Sequence, residues 1–268
     1  MAGLTAGSPA TIRLNPPYST GMASPEASAS PLHAAASARF PHALLRGLTT
    51  FAPPSMHSLL DLLEDNAGIL VAINAEKIAR ADAAGMALTA ANLGYPDGIG
   101  AVLALRRVGI AAHRMPGAEV WLEIFDRFAA RRSFYLIGGR EEVVGDVARR
   151  LQERVPGVRL WYRDGYMTDA ERDELLADVR RRQPDFVFVA MGSPQQERLM
   201  QRLYAAHPAV YMGLGGSFDI FAGRTSRAPA WLRRAGLEGA YRVLSEPTRF
   251  RRVPALVRFV AMLGAGRF

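Results

Sequence analysis

Residues 185–206 read DFVFVAMGSPQQERLMQRLYAA. The run 185–191 is short, apolar and rich in Val and Phe, which suits a strand buried on both faces. Gly192-Ser193-Pro194 interrupts it, and from Gln195 to Ala206 the apolar residues fall on one face of a helix. The same unit recurs in both directions. Apolar runs at 68–73, 87–93, 133–137, 158–162 and 209–214 alternate with helical patterns at 75–84, 99–108, 118–130, 141–153 and 169–182. Alternation of this kind predicts βα units around a parallel sheet. The expected fold is therefore α/β, a Rossmann-like open parallel sheet flanked by helices, and no internal repeat is present.

The chain has 268 residues, about half of them hydrophobic, enough for one such domain and an appendage. It has no cysteine, so no disulfide framework, thiolate metal site or cysteine nucleophile is available. Residues 1–37 are rich in Ala, Ser, Pro and Gly and lack the basic and apolar regions of a secretion signal. They predict a disordered segment or a start codon assigned too early. Three parts follow: a disordered low-complexity segment over 1–50, an α/β core over 51–223, and a basic helical appendage over 224–268.

Charge separates the last part from the rest. From Arg224 onward ten arginines stand against two glutamates, so this segment carries the whole net charge of +8 and everything before it is formally neutral. A positive field at one end fits a polyanion: a phosphate-bearing ligand, nucleic acid or an anionic membrane face. The plainer reading is a solvated arginine-rich face in a chain whose only lysine is Lys77. The apolar stretch 255–266 is too short to span a bilayer and is interrupted by Arg258.

Several strand candidates run into glycine turns: Gly138-Gly139, Gly192-Ser193-Pro194 and Gly215-Gly216-Ser217. Ligands of an open parallel sheet bind at the carboxyl ends of strands, where such turns let backbone amides approach phosphate. One edge therefore reads as a nucleotide or sugar-phosphate site. Neither a complete Gly-x-Gly-x-x-Gly after the first strand nor a P-loop is present, which argues against a dinucleotide dehydrogenase or a P-loop enzyme. Asp97, in Tyr95-Pro96-Asp97-Gly98, has two readings: a cap on the next helix, or a general base within reach of an attacking hydroxyl. Asn74, Arg114 and Gln196 also stand at strand ends and suit recognition of sugar hydroxyls and of charge on a departing diphosphate. Each has a structural alternative: a helix cap, a surface ion pair and an ordinary first-turn residue.

Eight motifs occur in a fixed order: Val71-Ala72-Ile73-Asn74-Ala75-Glu76, Pro96-Asp97-Gly98-Ile99-Gly100, Arg114-Met115-Pro116-Gly117, Phe134-Tyr135-Leu136-Ile137-Gly138-Gly139, Asp164-Gly165-Tyr166, Met191-Gly192-Ser193-Pro194-Gln195-Gln196-Glu197, Gly213-Leu214-Gly215-Gly216-Ser217-Phe218-Asp219 and Arg227-Ala228-Pro229. From about residue 68 to the C-terminus the chain resembles the WecG/TagA/CpsF glycosyltransferases. The resemblance implies inverting transfer of a hexosyl or N-acetylhexosaminyl group from a UDP-sugar to a polyprenyl-diphosphate-linked sugar, in exopolysaccharide, capsule or teichoic-acid-like synthesis. It makes Asp97 the base and puts Asn74, Gln196 and Arg114 on active-site positions. Gly138, Gly139, Gly215, Gly216 and Asp219 fall to the donor. Arg242, Arg249 and Arg252 match appendage arginines that reach the donor diphosphate. One departure stands out: the family commonly has Thr two residues before the asparagine, where this chain has Ala72.

The partners implied are a UDP-sugar, a polyprenyl-diphosphate-linked acceptor and the anionic inner-membrane surface, with no nucleic acid; a homo-oligomer is left open. No cofactor or metal is expected, since no Asp-x-Asp cluster is visible. The location implied is cytoplasmic, peripheral on the inner face of the cell membrane. The tail, read as a helix over 247–263, shows Phe250, Val253, Leu256, Val257, Val260 and Leu263 at helical spacing, which suits either an anionic membrane interface or packing on the core. The competing function is a non-catalytic phosphate- or nucleic-acid-binding protein using the arginine tail. Sparse aromatic residues in the tail and the lack of an RNA-binding motif weigh against it.

Overall fold

The computed structural model describes residues 28–225, 229, 231–232, 241 and 247–268. Six parallel strands form one sheet: β3 (Gly68–Ile73), β4 (Leu93–Pro96), β5 (Ser133–Gly138), β6 (Arg159–Arg163), β7 (Phe186–Ala190) and β8 (Val210–Gly213), in the spatial order β4-β3-β8-β7-β5-β6. The register of β5 against β7 pairs Phe134 with Phe186 and Leu136 with Phe188, one residue in two pointing to each face. Phe134, Leu136, Phe186 and Phe188 enter one core, and Tyr135, Ile137, Val187 and Val189 enter the other. Two-sided burial explains why these strands read as unbroken apolar runs rather than as alternating ones.

The first core is covered by α2 (Met56–Leu62), α6 (Gly117–Phe128) and α7 (Glu141–Arg154). Trp121 of α6 fills its centre, meeting Phe188 and Phe218 edge-on at 5.8 and 5.9 Å between ring centroids. The second core is covered by α3 (Ala75–Ala79), α5 (Ile99–Arg107), α8 (Asp169–Arg182) and α9 (Gln195–Ala206). After β3 the chain steps outward to β4, and after β5 it steps outward in the opposite direction to β6, with β8 and β7 lying between. Connections that diverge in this way open a crevice at the carboxyl edge of the sheet.

Three expectations are corrected. The segment expected to be disordered through residue 50 carries α1 (Pro31–Arg39) and a hairpin of β1 (His42–Leu45) and β2 (Leu48–Phe51). Alanine-rich composition there builds a helix instead: Ser30 accepts the His33 N–H at 3.2 Å as N-cap, proline occupies the first turn, and Leu32 and Ala36 are buried one turn apart. A two-residue loop, Arg46-Gly47, closes the hairpin with both φ angles positive. The apolar run 87–93 is not a strand. Its first five residues complete α4 (Ala83–Ala91), which Asp82 caps through the Gly85 N–H at 2.8 Å, so the helix expected over 75–84 is broken in two. Ala-rich apolar runs of this length fit a strand or a buried helix equally by periodicity. Finally, the tail helix starts late: residues 247–252 form a 3-10 turn, and α11 (Val253–Ala265) begins with Pro254 in its first turn. Proline lacks the N–H that a helix interior needs, so it sits where that donor has no helical partner.

At the opposite edge from the crevice, Asp185 ties β5 to β7. One carboxylate oxygen accepts the Ser133 N–H at 2.8 Å and its hydroxyl at 2.7 Å, and the other accepts from Arg132 at 3.1 Å. Burial alone would raise the Asp185 carboxyl, but Ser133 and Arg132 outweigh it and hold it below its ordinary value. The unfolded chain therefore binds this proton more readily than the folded one. The contribution of Asp185 to stability is complete above about pH 4 and fades as pH falls through the depressed value. Asp185→Ala, which takes the acceptor away from the N–H and O–H of the buried Ser133, is expected to cost about 2 kcal/mol at neutral pH. Urea midpoints measured from pH 7 to pH 3 should show the gap between wild type and variant closing toward acid; a constant gap refutes the assignment.

Candidate functional site

The carboxyl ends of the strands bring the sequence-expected residues into two groups. In the first, Asn74 follows β3 and Asp97 follows β4, and these strands are neighbours. The Asp97 N–H donates to Ile73 O at 3.0 Å, and the α-carbon of Gly98 faces the side chain of Asn74. Arg114 lies on the loop before α6, where the Met115 N–H donates to Pro96 O at 2.8 Å. Arg114 is half-buried and makes no hydrogen bond or ion pair with the described residues.

Asp97 is not the cap of the helix that follows it. Gly98 is the N-cap of α5 and supplies no side-chain bond. Asp97 instead accepts the Gly117 N–H at 2.6 Å, at the start of α6, twenty residues on. Beside it lies Tyr95, fully buried, whose hydroxyl has no hydrogen-bond partner among the described residues. Burial first, and the Asp97 charge second, push the Tyr95 phenol well above its usual value, so it stays a neutral O–H at any working pH. Asn74 does cap its helix, accepting the Lys77 N–H at 3.0 Å.

The second group surrounds an open cleft of about 410 Å³ lined by Gly139, Arg140, Glu142, Val143, Tyr166, Asp219 and Arg224. Gly138 and Gly139, with positive φ, turn the chain out of β5. Asp219 sits in α10 (Ser217–Phe221), which follows the Gly215-Gly216 turn after β8. Its backbone carbonyl accepts from the N–H groups of Arg224 and Thr225, which folds the cationic side chain back over the cleft wall. Tyr166 is 75% exposed at the rim, an aromatic face available to a planar ligand.

Gln196 joins the two groups but does not line the cleft. It is 6% exposed, and its amide oxygen accepts from the N–H groups of Gly192 at 3.2 Å and Gly215 at 2.9 Å. An oxygen so committed shapes the glycine turns that a ligand would meet. The appendage approaches from the β3 side, where α11 packs Ala255 and Phe259 into the second core. Arg252 pairs with Glu76 of α3 at 3.3 Å, and Arg80 pairs with the same carboxylate at 3.1 Å. Arg242 and the side chain of Arg249 lie outside the described residues.

Sequence reasoning did not assign roles to Tyr95, Arg140, Tyr166, Arg224, Lys77 or Glu197. Tyr166 and Glu197 stood inside the quoted motifs, and Lys77 stood out as the single lysine. Arg140 and Arg224 carried no local signal, since arginine is the common cation throughout this chain.

The model of the glycosyl transferase WecG/TagA/CpsF family matches residues 47–267, which takes in the whole parallel sheet, both residue groups and the appendage, and leaves α1 and β1 before it. The chain belongs to this family and is a glycosyltransferase of cell-surface polysaccharide biosynthesis.

Proposed function

We propose that the chain transfers a hexosyl or N-acetylhexosaminyl group from a UDP-sugar to a sugar carried on polyprenyl diphosphate, with inversion at the anomeric carbon. The observation that carries this reading is the pairing, on one sheet edge, of a carboxylate corner (Asn74, Asp97, Arg114) with a cleft that combines glycine turns, an exposed tyrosine and two arginines. The cleft suits the nucleotide: Tyr166 offers a face to the base, Asp219 an acceptor for ribose hydroxyls, and the Gly138-Gly139 and Gly215-Gly216 turns backbone amides for phosphate. In the chemical step the acceptor oxygen attacks the anomeric carbon as the bond to the diphosphate breaks. Asp97 takes the acceptor proton, and UDP departs with its added charge balanced by arginines. We assign this charge balance to Arg114, Arg242, Arg249 and Arg252.

No helix among the described residues is long and apolar enough to cross a membrane. For a lipid-linked acceptor we propose peripheral attachment through α11. Its inner face is occupied by the core, while Val253, Leu256, Val257 and Val260 face outward, Val257 being 64% exposed, beside Arg258 and the exposed Phe250, Arg251 and Arg252 of the preceding 3-10 turn. Apolar residues edged by arginine suit an anionic lipid interface. The membrane and packing readings of the tail are thus compatible, being served by different faces of one helix. The test offers a panel of UDP-sugars with bacterial lipid extract and follows UDP release and lipid-linked product by mass. One donor should give both in equal amounts, and Val257→Asp should lower product from vesicle-embedded acceptor but not from detergent-dispersed acceptor. UDP release without lipid product from every donor would overturn the proposal.

A further inference from the structure

Lys77 is the one lysine among 33 lysine and arginine residues, and it is not on the solvated surface where most of the arginines stand. Its ammonium lies 2.8 Å from Glu197 Oε1, a partner 120 residues away, with the two side chains only 26% and 13% exposed. Lys77 is in the first turn of α3 and Glu197 in the first turn of α9. Those helices follow β3 and β7, and β8 runs between the two strands, so the ion pair crosses the carboxyl end of β8.

Both partners are tied into the candidate site. The backbone N–H of Lys77 donates to Asn74 Oδ1. Glu197 Oε1 also accepts the Ser193 hydroxyl at 2.6 Å and the Gln196 amide at 3.4 Å, and Gln196 in turn holds the N–H of Gly215. Hydrogen bonds therefore run without a break from Asn74 through Lys77, Glu197 and Gln196 to the Gly215-Gly216 turn. Glu197 Oε2 is buried with no partner among the described residues, so Lys77 is the only cation paired with this carboxylate there. An exposed pair would hold nothing in place, but one removed from water has a defined geometry and is costly to break on one side only. A compact ammonium suits an oxygen already shared by two other donors better than a planar guanidinium, which presents a wide fork.

We infer that Lys77 and Glu197 are positioning residues for sugar transfer: their ion pair sets the spacing between Asn74 on the acceptor side and the Gly215-Gly216 turn on the donor side. The inference rests on the function proposed above for which side serves which substrate, but the strut itself can be measured without turnover. Hydrogen exchange is read by mass on the full-length protein for Lys77→Met, Glu197→Gln, the double variant and Lys77→Arg.

Each single neutralising change should speed exchange about tenfold in both the 74–80 and 213–218 peptides, leaving 133–138 unaltered. The double variant should add little to either single one. Exchange that rises only in the helix carrying the change, or effects that add in the double variant, would overturn the strut. In the transfer assay kcat should fall roughly tenfold to a hundredfold in each single neutralising variant with UDP affinity within about threefold of wild type, and Lys77→Arg, which keeps the charge on a wider head, should fall by less, about threefold. Loosened exchange with unchanged kcat would leave the pair structural only and overturn the positioning role. A wild type that transfers no sugar would instead defeat the proposed function, and exchange would then decide the strut alone. Urea midpoints identify any variant that fails to fold, and in that case Lys77→Arg, which keeps the charge, carries the comparison.

Discussion

Asp97→Asn is expected to lower kcat for sugar transfer by roughly 10²–10⁴-fold, the usual worth of a positioned general base, while the protein stays folded. Asparagine has nearly the same shape, and its amide oxygen can still accept the Gly117 N–H that Asp97 accepts at 2.6 Å. The junction between β4 and α6 is therefore kept, and the urea midpoint should shift by less than about 1 kcal/mol in equivalent stability. What the amide cannot do is take a proton from the acceptor hydroxyl. Donor binding should be unaffected, because Asp97 is not among the residues that line the cleft at Gly139, Tyr166 and Asp219. The profile that supports the base is a large fall in kcat with an unchanged Kd for UDP. Near-wild-type turnover in a folded Asp97→Asn protein would remove Asp97 from the chemistry.

The second large effect is on stability. Gly138→Ala is expected to destabilise the fold by about 3 kcal/mol and to abolish UDP binding in whatever folded fraction remains. Gly138 has φ +123°, a conformation that L side chains rarely adopt, and a β-carbon there would stand 2.2 Å from the carbonyl oxygen of Ala190 on the neighbouring strand. Backbone cannot retreat from backbone inside a paired sheet without breaking the β5–β7 register. The turn that follows would shift with it, and the Gly139 carbonyl, which accepts the Gly165 N–H at 2.8 Å, links that movement to the Asp164–Tyr166 loop on the other side of the cleft. Denaturant unfolding and UDP titration read the two effects separately. By contrast, a Gly157→Ala control, at a positive-φ loop glycine with open space around it, should lose only about 1 kcal/mol and keep UDP binding. Equal losses at both positions would mean that backbone strain alone, not the approach to Ala190, sets the requirement at Gly138.

Much of this protein was legible in one dimension. The strand at 68–73 and the helices at 169–182 and 195–206 follow from apolar spacing between residues a few positions apart, and the structure has them at those bounds. The glycine turns mark strand ends because a chain leaving a parallel sheet must reverse there. The confinement of the net charge to the segment from Arg224 onward is likewise a matter of counting. Where the local pattern misled, it was through composition: alanine in α1 and α4 is compatible with loop, strand or helix until a cap and a buried face decide.

What the sequence by itself determined is the α/β class and which glycine turns and polar residues stand at the carboxyl ends of the strands, because these depend on periodicity and order along the chain. Only the tertiary structure decided what those residues do to one another. That Asp97 accepts the first N–H of α6, that the Gln196 oxygen reaches the Gly215 turn, and that Lys77 meets Glu197 across β8 depend on groups 19 to 120 residues apart being brought together. The strand order β4-β3-β8-β7-β5-β6 makes those meetings, and since it follows from how both faces of the sheet are buried at once, no local window contains it.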